Sequence, residues 1–307
     1  MAKKRILSLE SIPGANFGET FTASIPNRTV NVQVGEGYWE SLSLAFRGTL
    51  TTTVLLETFL SLVNPLTFIA NEPRIQLNGR DAFALSTAFY GQAPKYLEGA
   101  TGTTDSVYGI RIPLWVKPKP AAESYAWNAT RVAVTNVASE LLHLSLNYAN
   151  AAPAAIKSAN TSPFEYQGTG RIDARQIPFT TPAATGISQV INKLPKLGSL
   201  LGILVFNTTV HTSAAVTADT QFLFLDSPLS RITSASWTDL QNDFLYAEDF
   251  TRADATALVT RQVLQNYGWL DFRAEPIDLV GQDIALSVDA EVVSEATRFI
   301  PVIEVAQ

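Results

Sequence analysis

The chain has 307 residues, of which 46% are apolar and 16% charged, with a net charge of −6, two histidines and no cysteine. The lack of cysteine excludes a disulfide framework and a thiolate metal site, and no apolar run approaches the ~20 residues of a membrane span. A charged fraction well below the ~25% of an average soluble domain has two readings: a large β-rich domain, or a surface much of which is covered by copies of the same chain.

Charge is unevenly spread. The opening Met1-Ala2-Lys3-Lys4-Arg5 is basic, and "ILSLESIPG" after it is too short and polar for a signal peptide. From Asp239 onward there are thirteen acidic and four basic residues, against fifteen and eighteen before it, so the second half is a poor nucleic-acid binder.

In chain order, residues 1–10 read as an N-terminal arm. Period-two alternation then predicts strands at Val30, Val32 and Val34, and at Leu42, Leu44 and Phe46. Leu56, Phe59, Leu60 and Val63 fall at helical spacing, with Asn64-Pro65 stopping them. "RIQLNGRD" reads as strand and polar turn, and Asp81 as the cap of a helix carrying Ala82, Leu85 and Phe89. Strands follow at Ile110 to Val116 and Leu142 to Tyr148. The Ala-, Asn-, Ser- and Pro-rich stretch Asn147 to Gly170 reads as a linker.

Beyond it, "LLGILVFNTTV" and "QFLFLDSPLSR" read as strands. Ser236-x-x-Asp239 is a capping box for a helix with Trp237, Leu240 and Phe244 on one face, and another helix is predicted from about Asp254 to Asn266. Strands close the chain at Trp269, Ile284 to Ala290, and "FIPVIEVA". Order repeats between the halves. "SIPNRT" and "QIPFTT" share Ile-Pro, with Pro26 and Pro178 lying 152 positions apart. "IQLNGRD" and "FLFLDSPLSR" both run strand, polar turn, Arg, and a helix and a Trp strand follow each. The expected fold is all-β: two tandem eight-stranded jelly-roll β-sandwiches with short helices in loops, spanning 1–157 and 158–307.

Catalytic patterns are missing. His143 and His211 have no ligand partner at i+2 or i+4, and there is no Gly-rich phosphate loop or Gly-x-Ser-x-Gly elbow. Asp271, Glu275, Asp278 and Asp283 lie in and beside one strand and are calcium candidates, since hard cations take several oxygens. Asp239 and Asp243 share one helix face. No cofactor is expected.

The order, together with Ser11-Ile12-Pro13 and Asn78-Gly79-Arg80, resembles the double jelly-roll major capsid proteins of tailless, membrane-containing icosahedral bacteriophages. These are the corticovirus and tectivirus type, of the adenovirus-hexon lineage. The resemblance implies a structural protein of the virion, synthesised in the host cytoplasm. It implies homotrimers of pseudo-hexagonal outline that tile a shell, with minor capsid or penton proteins as partners. It also places Lys3, Lys4 and Arg5 at the inner face, near lipid or genome, and allows a structural calcium. The alternative from another class is a tandem jelly-roll glycan-binding protein or glycan hydrolase, with Trp39, Trp115, Trp127, Trp237 and Trp269 as candidate sugar platforms.

Overall fold

The computed structural model describes residues 4–12, 27–31, 38–52, 60–61, 63–90, 96–97, 105–117, 125–131, 137–149, 170–180, 187–207, 221–245, 264, 266–290 and 296–306. The described residues divide into two compact units, up to Asp173 and from Ala174. That division lies C-terminal of the expected boundary at 157/158 and inside one strand, Arg171–Arg175 (β10).

The first unit contains β1 (Lys4–Ile12), β2 (Asn27–Asn31), β3 (Tyr38–Leu50), β4 (Val63–Ala70) and β5 (Glu72–Leu77), then helix α1 (Gly79–Tyr90). It continues with β6 (Tyr96–Leu97), β7 (Asp105–Val116), β8 (Tyr125–Arg131) and β9 (Val137–Ala149). One antiparallel sheet has the order β1-β9-β3-β7-β6, and β2-β8-β4-β5 are neighbours in a second. Alternation sets which side chains face inward: Leu42 and Leu44 on β3 and Ile110 and Ile112 on β7 are all buried. Trp39 of one sheet meets Tyr125 of the other edge-on, ring centroids 4.7 Å apart.

The second unit contains β11 (Ile177–Thr180), β12 (Ile187–Lys193), β13 (Ser199–Asn207), β14 (Gln221–Asp226), β15 (Arg231–Ser236) and helix α2 (Trp237–Leu245). It ends with β16 (Tyr267–Asp271), β17 (Ile277–Asp278), β18 (Ala285–Ala290) and β19 (Ala296–Val305). One sheet runs β12-β18-β14-β15; in the other, β13 lies between β16 and β19, and β11 pairs with β19. Ile203, Val205 and Phe299 from one sheet close on Leu223, Leu225, Leu286 and Val288 from the other, with Trp237 and Leu240 of α2 at the side. β13 is buried on both faces, which is why "LLGILVF" reads as a continuous apolar run.

Numbering the eight principal strands of each unit in chain order gives the same two sheets twice, 2-7-4-5 and 1-8-3-6. In the first unit these are β2-β8-β4-β5 and β1-β9-β3-β7; in the second, β12-β18-β14-β15 and β11-β19-β13-β16. This order is the jelly roll. In both rolls the helix sits between strands five and six, and the Trp lies on strand six.

Several expectations are corrected. Residues 4–10 are not an arm: Lys4–Ile12 is the first strand, and Lys4 to Ser8 pair with Ala149 to Ser145 on β9. Val63 opens β4 instead of closing a helix; Leu56 and Phe59 fall outside the described residues. Pro65 is tolerated in β4 because the register against β8 slips between Val63 and Leu66, where a missing N–H breaks no ladder bond. The cap of α1 is Asn78, whose Oδ1 accepts from the Asp81 N–H at 2.8 Å, and Gly79-Arg80 opens the helix rather than forming a turn. The Ile-Pro phrase does not mark equivalent places: Ile177-Pro178 lies on strand one of its roll, whereas Asn27 to Val30, directly after Pro26, lie on strand two. Likewise "FLFLDSPLSR" spans strands four and five, while "RIQLNGRD" runs from strand five into the helix. Val32, Val34 and all of 254–263 lie outside the described residues.

Candidate functional site

The four calcium candidates are all described, and each is engaged separately. Asp271, at the end of β16, is clamped by Arg273: Nε reaches Oδ1 at 2.9 Å, Nη2 reaches Oδ2 at 2.6 Å, and the Arg273 N–H donates to Oδ1 at 2.9 Å. Partial burial pushes the Asp271 carboxyl up, but the guanidinium outweighs it and holds the group below its ordinary range. Asp278 Oδ1 accepts from the Val280 N–H, and Asp283 pairs with Lys196 at 2.8 Å, which holds its carboxyl low. Glu275 is exposed and contributes its N–H to Phe272 O. Among the described residues no three His, Asp or Glu side chains stand close enough to share a metal ion. The structure therefore does not bring the four carboxylates into one site.

Of the basic opening, Lys3 lies outside the described residues, while Lys4 and Arg5 are strand positions paired with Ala149 and Tyr148. His143 sits on β9 opposite Ala45, and His211 lies outside the described residues. Asp239 is spent on helix geometry: its Oδ2 accepts from the Ser236 N–H and hydroxyl, and its N–H donates to Ser236 Oγ, the predicted capping box. Trp39, Trp115, Trp237 and Trp269 are each at most 3% exposed. A sugar platform needs an open indole face, and these four offer none.

The first unit also holds a largely buried ion network. Asp173 accepts from Arg171 Nε at 2.9 Å and from Arg74 Nη1 at 3.4 Å, and Arg74 also pairs with Glu72 at 2.6 Å. Such a network satisfies its own charges, leaving little for a ligand.

A feature the sequence reading missed lies at one end of the second roll. Lys193, Ala285, Asp226 and Arg231 stand in register across β12, β18, β14 and β15, so three turns emerge together there: 194–198, 227–230 and 279–284. Two of the turns are internally bonded, and 194–198 is held through 279–284. Ser227 N–H donates to Ser230 O at 2.8 Å, and Ser230 N–H donates back to Ser227 Oγ. Gln282 N–H donates to Leu279 O across Gly281, whose φ of +69° suits the third position of a type II turn. Leu279 N–H donates to Gly198 O, tying two of the turns to each other. Each presents one bare aliphatic side chain: Leu229 is 96% exposed, Val280 62% and Leu197 44%. Periodicity could not show this, because turns have none.

No family model and no curated protein matches the sequence. Solved structures do match by shape. The STIV MCP, from Sulfolobus turreted icosahedral virus, superposes with a TM-score of 0.67 at 12% identity, covering 99% of this chain and 97% of that one. The major capsid protein P2 of bacteriophage PM2 gives 0.55 at 11% identity, over 99% and 98%. The PBCV-1 virus capsid gives 0.52 at 9% identity, over 99% and 93%.

The fold is the double jelly roll. Full-length coverage in both directions means that both rolls match, not one alone, so the duplication read from the topology is the duplication those capsid proteins carry. Among the described residues no helix is long and apolar enough to cross a membrane.

Proposed function

We propose that the chain is a viral major capsid protein, a structural subunit without catalytic activity. The observation that carries this is the pair of jelly rolls with identical strand order, matched end to end by capsid proteins. Two similar rolls per chain give a trimer six similar edges, the pseudo-hexagonal outline that packs side by side into a shell. The low charged fraction, 16%, fits a surface largely buried against neighbours. Partners are copies of itself, minor or penton proteins at special positions, and lipid or genome at the inner face through Lys3, Lys4 and Arg5. The protein resides in the virion after synthesis in the host cytoplasm. The glycan-binding alternative is not favoured, because four of the five indoles it would use, Trp39, Trp115, Trp237 and Trp269, are in the cores.

Light scattering on the purified protein tests the reading: the expected mass is three times 33.3 kDa, or a larger shell. A stable monomer at micromolar concentration would sink it.

A further inference from the structure

Among the chain's asparagines, only Asn78 is followed by glycine. That dipeptide is the one most prone to lose its side-chain amide, because glycine has no Cβ to keep its backbone nitrogen away from the asparagine Cγ. The Gly79 nitrogen gives up its proton and attacks the Asn78 Cγ. Nδ2 leaves as ammonia and a succinimide ring closes. Water then adds to either ring carbonyl, and the product is aspartate or isoaspartate. Overall, water is consumed and ammonia released.

The fold closes this route in three ways. Asn78 Oδ1 accepts from the Asp81 N–H at 2.8 Å, so the amide carbon cannot swing toward the Gly79 nitrogen without breaking the cap. Asn78 O accepts from the Ala82 N–H at 2.9 Å, which fixes the peptide group whose rotation ring closure needs. Gly79 is itself buried, away from the water that would take its proton. Freeing the dipeptide therefore means undocking α1, whose residues 81–89 are buried on every side.

The two products leave different helices. Aspartate keeps an acceptor at the cap and suits a helix N-terminus. Isoaspartate does not: the main chain then passes through Cγ. The groups that accept from Asp81 and Ala82 exchange roles, and the backbone gains a carbon. A helix with no exposed face has no room to absorb that shift. The equivalent cap of the second roll is Ser236, which has no amide to lose.

We propose that Asn78-Gly79 is a spontaneous modification site, sealed in the folded first roll and opened whenever α1 is undocked, and that isoaspartate at 78 bars the chain from refolding. This goes beyond the capsid reading and does not depend on it, since a damaged chain is withheld from the folded pool whatever the folded protein builds.

The test holds wild-type protein at mildly alkaline pH, either folded or in urea. The tryptic peptide Ile75–Arg80 is followed by mass, and isoaspartate by enzymatic methylation. Loss of the Asn78 amide should run at least roughly a hundredfold faster in urea, because a fully buried helix opens about as rarely as the whole domain unfolds. After dilution from urea, isoaspartate should be depleted from the refolded, protease-resistant fraction, while aspartate is not. Asn78→Ser keeps a cap acceptor and has no amide, so its refolding yield should not fall during the same hold. The wild-type measurements decide the matter whether or not that variant folds. Comparable rates of amide loss in folded and unfolded protein overturn the seal. Isoaspartate chains recovered in the refolded fraction in proportion to their abundance overturn the bar to refolding.

Discussion

Trp115 and Trp269 occupy strand six of the two rolls and both are buried to about 1% exposure, yet each is accommodated in its own way. In the second roll the neighbours make room. A Cβ on Gly202 of β13 would fall into the Trp269 ring, and one on Gly268 would come within 2.6 Å of Leu240 Cβ in α2. In the first roll the backbone of β7 makes room. Trp39 and Ser41 of β3 pair with Val116 and Pro113, so Leu114 and Trp115 together oppose Glu40 in a bulge. Trp115 itself sits at φ +52°, a left-handed conformation that costs a bulky residue of order 1–3 kcal/mol. The duplicated fold thus keeps the buried indole, but not the local device that fits it.

The helices between strands five and six differ in a parallel way. Residues 81–89 of α1 are buried on every side, whereas α2 keeps Asp239 exposed and buries Trp237 and Leu240. The caps nonetheless correspond. Asn78 and Ser236 each accept the N–H of an Asp three residues on, Asp81 and Asp239.

The largest effect that would sharpen this comparison is at the indoles. Trp269→Ala should cost about 3–5 kcal/mol in urea unfolding. Trp269→Gly should be worse than Ala by about 0.5–1 kcal/mol, the usual penalty of glycine in a strand. At Trp115 the order should reverse, with Gly better than Ala by about 1 kcal/mol because only glycine is unstrained at positive φ. The same order at both sites would break the comparison.

The caps come next. Asn78→Ala leaves the Asp81 N–H without its acceptor at the start of a buried helix, which should cost about 1–3 kcal/mol. Ser236→Ala, at a helix with an exposed face, should cost about 1 kcal/mol. Equal losses in thermal or urea unfolding would show that burial of α1 does not matter to its cap.

The smallest effect is electrostatic. The Asp271 carboxyl is held below its ordinary 3.8 by Arg273, against the opposing pull of partial burial. A depressed folded value means that the stabilisation is present above pH ~3.9, the unfolded value, and fades as pH falls through the folded one. Asp271→Asn should therefore lower stability at neutral pH by less than about 1 kcal/mol, and flatten the acid limb below pH ~4. An unchanged acid limb would mean that the clamp contributes nothing to folding.

The fold was legible in the sequence because strands write their alternation directly, as in "ESLSLAFRG" and "GIRIPLWVK", whose Leu42, Leu44, Ile110 and Ile112 are buried. The Ser236 capping box was legible for a similar reason: hydroxyl and carboxylate at fixed spacing have one local use. Its partner at Asn78 was hidden, since Asn-Gly reads equally as a turn, and that masked the true repeat of cap plus Asp. The Ile-Pro phrase misled because Pro fits any strand position lacking a ladder N–H, so it marks no particular strand. Nothing in composition could show that Asp271 is clamped by a residue two positions away, or that the ends of four strands align to carry Leu229, Val280 and Leu197 together. Those facts arise from register, which only the folded pairing fixes.

Strand one pairs with strand eight in each roll, β1 with β9 and β11 with β19. During synthesis the first roll cannot complete its sheet until Val137 to Ala149 have left the ribosome, long after Lys4 to Ile12 emerge. Until then β3 and the first strand present open edges, to which any neighbouring nascent chain of the same kind is complementary. Closure of so wide a loop is slow relative to local turn formation. In the proposed role of a shell subunit made in many copies at once, the greatest risk of mispairing would fall before any capsomer exists.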